Sequence, residues 1–130
     1  MSDAIVCRAP AVEVWRLVHD PSRLHEWMAD TERVEPGEGD TVVRFLHGWP
    51  DHPMPTRVRS AAGGRVTISC LVSDIDFAIG LSPHPQGCEV TVTGTIPEAE
   101  AARCAAVREL VGASLRRLAE RAAAPPAPLG

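Results

Sequence analysis

The spacing of apolar residues changes twice along this chain, and these changes constrain the fold more than any other feature. Residues 11–18 and 24–28 place apolar side chains three and four positions apart, as one face of a helix does. From residue 31 to residue 96 the spacing becomes two, which is typical of antiparallel strands with one buried face. After Pro97 the helical spacing returns. The pattern predicts an α+β domain with one strand, two short helices, about six further strands and a long C-terminal helix.

Two prolines position the short helices. Pro10 follows a β-favouring run at residues 4–8 and suits the first position of a helix, because it has no N–H to leave unsatisfied. Asp20-Pro21 ends that helix and can begin the next, with Asp20 as the N-cap. We therefore expect two short helices that meet at a sharp corner.

Turn residues divide the middle of the chain into strands. The predicted strands cover residues 41–48, 54–60, 65–72, 75–82 and 88–96, with one more at 31–35. Residues 49–55 contain three prolines and are expected to form a rigid loop. The side chains predicted to face the core include Val43, Phe45 and His47; Val66, Ile68, Cys70 and Val72; Ile75, Phe77, Ile79 and Leu81; and Cys88, Val90, Val92, Gly94 and Ile96.

The C-terminal helix is predicted over residues 98–122 and would be about 37 Å long, enough to cross a sheet. Its apolar stripe contains Cys104, Val107, Val111, Ser114 and Leu118. Gly112 within it indicates either close packing or space for a ligand. Residues 1–122 are expected to form one domain, and the Ala- and Pro-rich residues 123–130 a loose tail.

The composition argues against several classes of function. Thirteen basic and 17 acidic residues give a net charge of −4, so a nucleic-acid partner is disfavoured. The apolar runs are shorter than the roughly 20 residues of a membrane span. The chain has no Lys, Tyr or Asn, which excludes a lysine Schiff base, a P-loop lysine and a tyrosine general acid.

The cysteines and histidines do not form a recognisable motif. Cys7, Cys70, Cys88 and Cys104 are isolated, and the first ten residues lack the features of a signal peptide, so we expect reduced thiols and a cytoplasmic protein. The five histidines have no metal-binding spacing, so no metal is expected.

Two segments carry a resemblance to a known family. Residues 9–15 read APAVEVW and residues 17–28 read LVHDPSRLHEWM. They resemble the N-terminal pattern of the START-like (SRPBCC) superfamily: Ala-Pro, a Val-Trp pair, an Asp-Pro turn and Leu-x-x-Trp. Within it, the chain is most similar to the polyketide cyclase/dehydrase-like group. The resemblance implies a helix-grip fold, in which a curved sheet grips the long helix and leaves a cavity for hydrophobic ligands.

Candidate catalytic residues follow from this expected cavity. If Phe45 faces the cavity, His47 does so as well and could move a proton during cyclisation or dehydration; the alternative is a histidine exposed at the rim. Asp76 is the second candidate, as a base, although Asp74 and Asp76 at a turn more commonly cap backbone N–H groups.

Candidate ligand-binding residues are mostly apolar or aromatic. Trp27 and Trp49 are placed near the expected cavity mouth, where they could stack on a ligand. Arg44, Arg57 and Arg59 belong on the convex face unless the strand register is shifted by one residue, in which case they could hold a carboxylate or polarise a ketone. The full predicted set is Trp27, Met28, Phe45, Trp49, Arg57, Arg59, Ile68, Phe77, Val92, Val111 and Ser114.

Two functions remain open on the sequence. One is a cofactor-free cyclase or dehydratase that acts on a hydrophobic polyketide-like intermediate. The other is a non-catalytic carrier or sensor of a hydrophobic small molecule. In both cases the partner is a small molecule, and the protein is expected to be a monomer or a homodimer.

Overall fold

The computed structural model describes residues 1–123, which contain seven strands and three α-helices. The strands are β1 (Ser2–Cys7), β2 (Thr31–Pro36), β3 (Thr41–Leu46), β4 (Trp49–Ala61), β5 (Arg65–Cys70), β6 (Asp76–His84) and β7 (Gly87–Thr95). The helices are α1 (Ala11–Val18), α2 (Leu24–Trp27) and α3 (Cys104–Ala123), with short 3-10 helices at Pro21–Arg23 and Glu98–Arg103. Of the predicted tail, only Ala123 lies within the described residues.

The strands form one antiparallel sheet in the order β1-β7-β6-β5-β4-β3-β2. Strands β2 to β7 are neighbours both in sequence and in space, and β1 pairs with β7 at the opposite edge from β2. Helix α3 packs against β1, α1 and α2 on the concave side of the sheet. This curved sheet around one long helix confirms the predicted helix-grip fold.

The corner between the short helices is fixed by two polar contacts. Asp20 Oδ1 accepts a hydrogen bond from the backbone N–H of Ser22 at 3.0 Å, which caps the 3-10 helix before α2. The indole Nε1 of Trp27 donates a hydrogen bond to the carbonyl of Leu17 at 3.0 Å. The end of α2 is therefore tied to the end of α1.

The period-two pattern correctly identifies the buried faces of three strands. Buried side chains are Val66, Ile68 and Cys70 on β5; Phe77 and Ile79 on β6; and Cys88, Val90 and Val92 on β7. Val72 was expected to continue this set, but it is 61% exposed because β5 ends at Cys70 and the chain then turns. On α3 the predicted Val107, Val111, Ser114 and Leu118 are buried, together with Leu115.

The prediction of a loop at residues 49–55 is wrong, because these residues form the first half of β4. Strand β5 ends opposite Thr56, so residues 49–55 pair in the sheet only with β3. A proline lacks only the backbone N–H, and such a half-paired strand tolerates this loss. Pro55 even contributes its carbonyl, which accepts a hydrogen bond from the N–H of Leu71 at 3.0 Å.

The predicted orientation of β3 is also wrong. Val42 and Arg44 pair with Thr56 and Met54 of β4 and face the core side, whereas Val43 and Phe45 face the other side. Irregular pairing occurs on both sides of β3, at residues 44–46 against β4 and opposite residues 31–33 of β2. Strand β3 therefore adopts the alternative orientation, shifted by one residue, in which Arg44 faces inward.

Candidate functional site

A small cavity lies between α3 and the concave face of the sheet, with a volume of about 30 Å³. Each wall comes from a different part of the chain. Helix α3 contributes Leu110, Val111, Ser114 and Leu115; the sheet contributes Ile68, Phe77, Ile79 and Val92; and the end of α2 contributes Trp27 and Met28. The cavity therefore exists only when the helix is seated on the sheet.

The lining is apolar apart from two polar groups, and both already have partners within the protein. The hydroxyl of Ser114 accepts a hydrogen bond from the backbone N–H of Ala29 at 3.0 Å. The indole N–H of Trp27 is directed to the carbonyl of Leu17. No lining residue has a side chain that titrates near neutral pH. The cavity wall can contact a hydrophobic molecule, but it offers no general acid or base.

Most residues predicted to bind a ligand lie in this lining. They are Trp27, Met28, Ile68, Phe77, Val92, Val111 and Ser114. Ile79, Leu110 and Leu115 also line the cavity although they were not in the predicted set. Ile79 could have been included, because it alternates in phase with Phe77. Leu110 and Leu115 flank the predicted stripe of α3, which is broader than the spacing alone indicated.

Phe45 and His47 do not line the cavity. The ring of Phe45 is buried on the opposite face of β3, where the guanidinium carbon of Arg33 lies 3.7 Å from the ring centroid. His47 is exposed in the turn after β3, and its backbone N–H donates to the carbonyl of Asp30 at 3.0 Å. The alternation that was expected to bring both side chains inward is wrong, since Arg44 takes the inward position.

Arg44 is the only arginine whose whole residue is buried within residues 1–123, with 5% of its surface exposed. Its Nε donates to Thr56 Oγ1 at 2.9 Å, and its Nη1 donates to Thr31 Oγ1 at 3.0 Å. Nη1 also lies 3.2 Å from Oδ1 of Asp30, which forms the ion pair that compensates the buried charge. Three separate strands and a loop are needed to hold this guanidinium.

This polar cluster is adjacent to the cavity. Thr56 pairs across the sheet with Cys70, which is two residues from the cavity residue Ile68 on the same face of β5, or about 7 Å along the strand. From the other side, Met28 lines the cavity, and its carbonyl accepts from the N–H of Thr31 at 3.1 Å. One apolar space and one buried cation thus lie side by side on the concave face.

Cys70 lies between the apolar and the charged regions. Its burial alone would raise the pKa of the thiol, but other interactions reverse the sign. The hydroxyl of Ser73 and the backbone N–H groups of Ser73 and Val72 donate toward the sulfur, and the Arg44 charge favours the thiolate. The pKa of Cys70 is consequently below its ordinary value of 9.0.

The remaining predicted residues lie outside the cavity. Arg57 and Arg59 are on the convex face, where their Nε atoms lie 3.3 Å and 2.6 Å from the carboxylate of Asp40. Asp76 alternates with the inward Phe77, so it faces away from the helix. Trp49 is 57% exposed and its ring packs edge-on against His52 with centroids 5.0 Å apart. These positions do not converge on one site.

Within residues 1–123, no group of three His, Cys, Asp or Glu side chains is arranged to hold a metal ion. Among the same residues, no helix has the length and apolar character that crossing a bilayer requires.

Comparison with known proteins agrees with this architecture. A family model described as "Polyketide cyclase / dehydrase and lipid transport" matches residues 1–123. No curated protein matches the chain in sequence.

Several solved structures share the fold at low sequence identity. XoxI from Bacillus cereus aligns with a TM-score of 0.75 at 13% identity, over 92% of each chain. Protein CV1439 from Chromobacterium violaceum aligns with a TM-score of 0.71 at 19% identity, over 96% of this chain and 97% of that one. An AHSA1-like protein from Aeromonas hydrophila aligns with a TM-score of 0.66 at 14% identity, over 91% and 90%.

Proposed function

Because the chain belongs to the polyketide cyclase / dehydrase and lipid transport family, we propose that it binds a hydrophobic small molecule between α3 and the sheet. One observation carries this proposal: the cavity is lined by eight aliphatic or aromatic side chains, one methionine and one serine. Binding in such a lining is favourable because it removes apolar surface of the ligand from water. It has no group that would change the protonation of the bound molecule.

The ligand must enlarge the cavity when it enters. A volume of about 30 Å³ is close to the space of one water molecule, whereas ligand pockets in proteins commonly measure several hundred Å³. Met28 is the wall residue best suited to move, since its unbranched side chain has three rotatable bonds. Leu110, which is half-buried near the start of α3, is a second movable part of the wall.

Binding can be measured through Trp27, because its indole lines the cavity. The reporter protein carries Trp15→Phe and Trp49→Phe, and an uncharged polycycle such as anthracene is added. We expect saturable quenching of the remaining tryptophan emission. Val111→Phe, which fills the cavity, should weaken this binding by about tenfold or more, because the inserted ring competes for the same space.

Val12→Phe serves as the matched control. Val12 is 54% exposed on α1, so the same substitution there should leave the affinity unchanged. Circular dichroism and thermal unfolding of both variants establish that they are folded. Quenching that does not saturate, or equal affinities for Val111→Phe and the reporter, would overturn the proposal.

A second function, cyclisation or dehydration of a polyketide-like intermediate, is favoured by the position of Arg44. Nε and Nη1 of this side chain are engaged by Thr56, Thr31 and Asp30. Arg44 lies beside the cavity and outside its lining, so a ligand oxygen would meet the Nη2 end once the cavity enlarges toward it. A carbonyl held there would have its enolate stabilised, so the adjacent carbon would lose its proton more readily to a solvent water or hydroxide. In this mechanism the apolar cavity folds the chain of the substrate and Arg44 polarises it.

Enolate stabilisation is measurable without knowing the natural substrate. With an aromatic 1,3-diketone in D₂O, hydrogen exchange at the α-carbon should be accelerated by the protein. Arg44→Lys should reduce this acceleration by about 10²-fold, the usual effect of removing one donor to a developing oxyanion. Anthracene binding should be unchanged, which shows that the cavity is intact. If the unmodified protein gives no acceleration, the protein is a binder and the catalytic function is rejected.

A further inference from the structure

Two of the four cysteines lie directly opposite each other in the sheet. Cys7 ends β1, and its pairing partner on β7 is Cys88. Both side chains are fully buried, and both residues are free thiols. We propose that Cys7 and Cys88 are a redox pair that forms a reversible disulfide and joins the edge strand β1 covalently to β7.

The strand register provides the geometry for this bond. Residues directly opposite in an antiparallel pair have Cα atoms about 4.5 to 5.5 Å apart and side chains on the same face. A disulfide requires a Cα separation of about 4.4 to 6.8 Å. The two cysteines therefore need side-chain rotation and a small approach of their Cβ atoms, which lie about 4.5 to 5.5 Å apart in such pairs and about 3.5 to 4.5 Å apart in a disulfide.

No other pair of cysteines has this arrangement. Cys70 on β5 is paired with Thr56 of β4. Cys104 is the first residue of α3 and belongs to no strand. Since all four cysteines lie within the described residues, the choice of partner is unambiguous.

The environment of the pair makes the reaction slow. Burial raises the pKa of the Cys7 thiol to about 11, and the proximity of Cys88 adds to this increase. Burial also raises the pKa of Cys88. Little thiolate is present at neutral pH, and both sulfurs are buried while β1 is paired. Oxidation therefore depends on local opening of β1, which has a neighbour on one side only.

The chemistry is thiol–disulfide exchange with a small-molecule disulfide as the oxidant. The Cys7 thiolate attacks one sulfur of glutathione disulfide, and one glutathione leaves as its thiolate. The Cys88 thiolate then attacks the Cys7 sulfur of the mixed disulfide and displaces the second glutathione. The two protein thiols lose two protons and two electrons, and the oxidant is reduced to two thiols.

The bond would act on the contact between the sheet and the long helix. Strand β1 packs directly against α3, which carries one wall of the cavity. Close by, a Cβ added at Gly87 would collide with the carbonyl of Cys7 and with the backbone of Ala9, so this end of β1 is already tightly enclosed. The disulfide would join β1 covalently to β7 at this closely packed end of the strand.

The test uses the double variant Cys70→Ala/Cys104→Ala, which retains only the proposed pair. It is incubated with glutathione disulfide in native buffer, quenched with acid and measured by intact mass spectrometry. We expect a mass lower by two hydrogen atoms with no glutathione adduct, a Cys7–Cys88 linked peptide after digestion, and reversal by dithiothreitol. The melting temperature of the oxidised form should rise by about 10 °C, because the bond closes a long loop of the chain.

Further variants make the result specific. Cys7→Ala and Cys88→Ala, each made in the same background, should yield neither the mass loss nor the rise in melting temperature. Persistence of free thiols, accumulation of the mixed disulfide with glutathione, or a disulfide that forms only in urea would each overturn the proposal, because all three show that the folded protein does not form this bond.

Discussion

Glu26 connects the first quarter of the chain to the far end of α3. Its carboxylate accepts hydrogen bonds from Arg23 Nε at 2.6 Å and from Arg121 Nη2 at 2.9 Å, while its backbone carbonyl accepts from Arg117 Nε at 3.0 Å. The hydrogen bond from Arg23 is the main reason that the pKa of Glu26 is lowered to about 2, and Arg121 lowers it further. One side chain thus holds α2 against the helix that forms the cavity wall.

Titration of this carboxylate should make the free energy of unfolding vary with pH in the acid range. Its pKa is about 2 in the folded protein against an ordinary value of 4.5, so the folded state binds fewer protons in this range. The stabilisation is present above about pH 4.5 and is lost as the pH falls toward 2. We expect Glu26→Gln to cost about 1 kcal/mol at pH 7 and to flatten the decrease between these pH values. Urea unfolding at pH 7 and pH 3 measures both effects.

Glu13→Gln is the control for this experiment. Glu13 pairs with Arg16 at 3.3 Å on an exposed helix face, where an ion pair contributes little. It should change the free energy of unfolding by only a few tenths of a kcal/mol. Equal losses for the two variants at pH 7, or a Glu26→Gln protein with the pH profile of the parent, would contradict the assignment to Glu26.

Arg44 shows why the polar part of the candidate site could not be predicted from local sequence. The segment from Val42 to Leu46 is apolar on both faces apart from this arginine, so alternation does not distinguish the two orientations. What decides the orientation is the set of partners Asp30, Thr31 and Thr56, which are distant in sequence. A buried charge is stable only with such partners.

Among the secondary-structure elements, α3 contains a glycine that the packing does not need. A Cβ at Gly112 would lie 3.4 Å from Arg116 Nη1 and 3.8 Å from Asp3 Oδ2, which are ordinary contacts. Gly112 is absent from the cavity lining, so it neither leaves space for the ligand nor allows unusually close approach. We expect Gly112→Ala to stabilise the protein by about 0.5 to 1 kcal/mol, since alanine restricts the unfolded chain and favours helix.

Gly87→Ala is expected to have the opposite effect on stability, and thermal unfolding measures both variants. Gly87 has a φ of +144°, and a Cβ there would collide with the backbone of Cys7 and Ala9. Thermal unfolding should show a clear decrease in melting temperature for Gly87→Ala and an increase for Gly112→Ala. A decrease for Gly112→Ala would show that the glycine has a packing role that these contacts do not reveal.

The strands differ in how well their sequence predicts them. On β5 and β7 polar and apolar residues alternate cleanly, so Ile68 and Val92 were placed on the inner face correctly. On β4 the prolines at 50, 53 and 55 suggested a loop, because local sequence does not reveal that β5 stops short of them. The prolines disfavour a strand paired on both sides, but these residues pair only with β3, so a strand forms there.

For the whole molecule, the order of elements together with the family resemblance predicted the fold, and the fold predicted most of the cavity lining. A long helix with an apolar stripe must cover the apolar face of the preceding strands, so residues such as Phe77 and Val111 were expected to meet. The reactive groups were not predictable in this way. His47 follows the alternation of β3, which irregular pairing changes near the end of that strand. Asp76 is a candidate only as a carboxylate beside a turn, and it alternates with the inward Phe77.

The pairing of β1 with β7 also has a consequence for the order in which the chain folds. Strands β2 to β7 each pair with a strand next to them in sequence, so these hairpins can form through short-range contacts. The N-terminal amine of Met1, in contrast, donates to the carbonyl of Gly94, 93 residues further along the chain. During synthesis β1 therefore has no partner strand until β7 has left the ribosome. Of the seven strands, β1 precedes the others in the chain and is among the last to be paired.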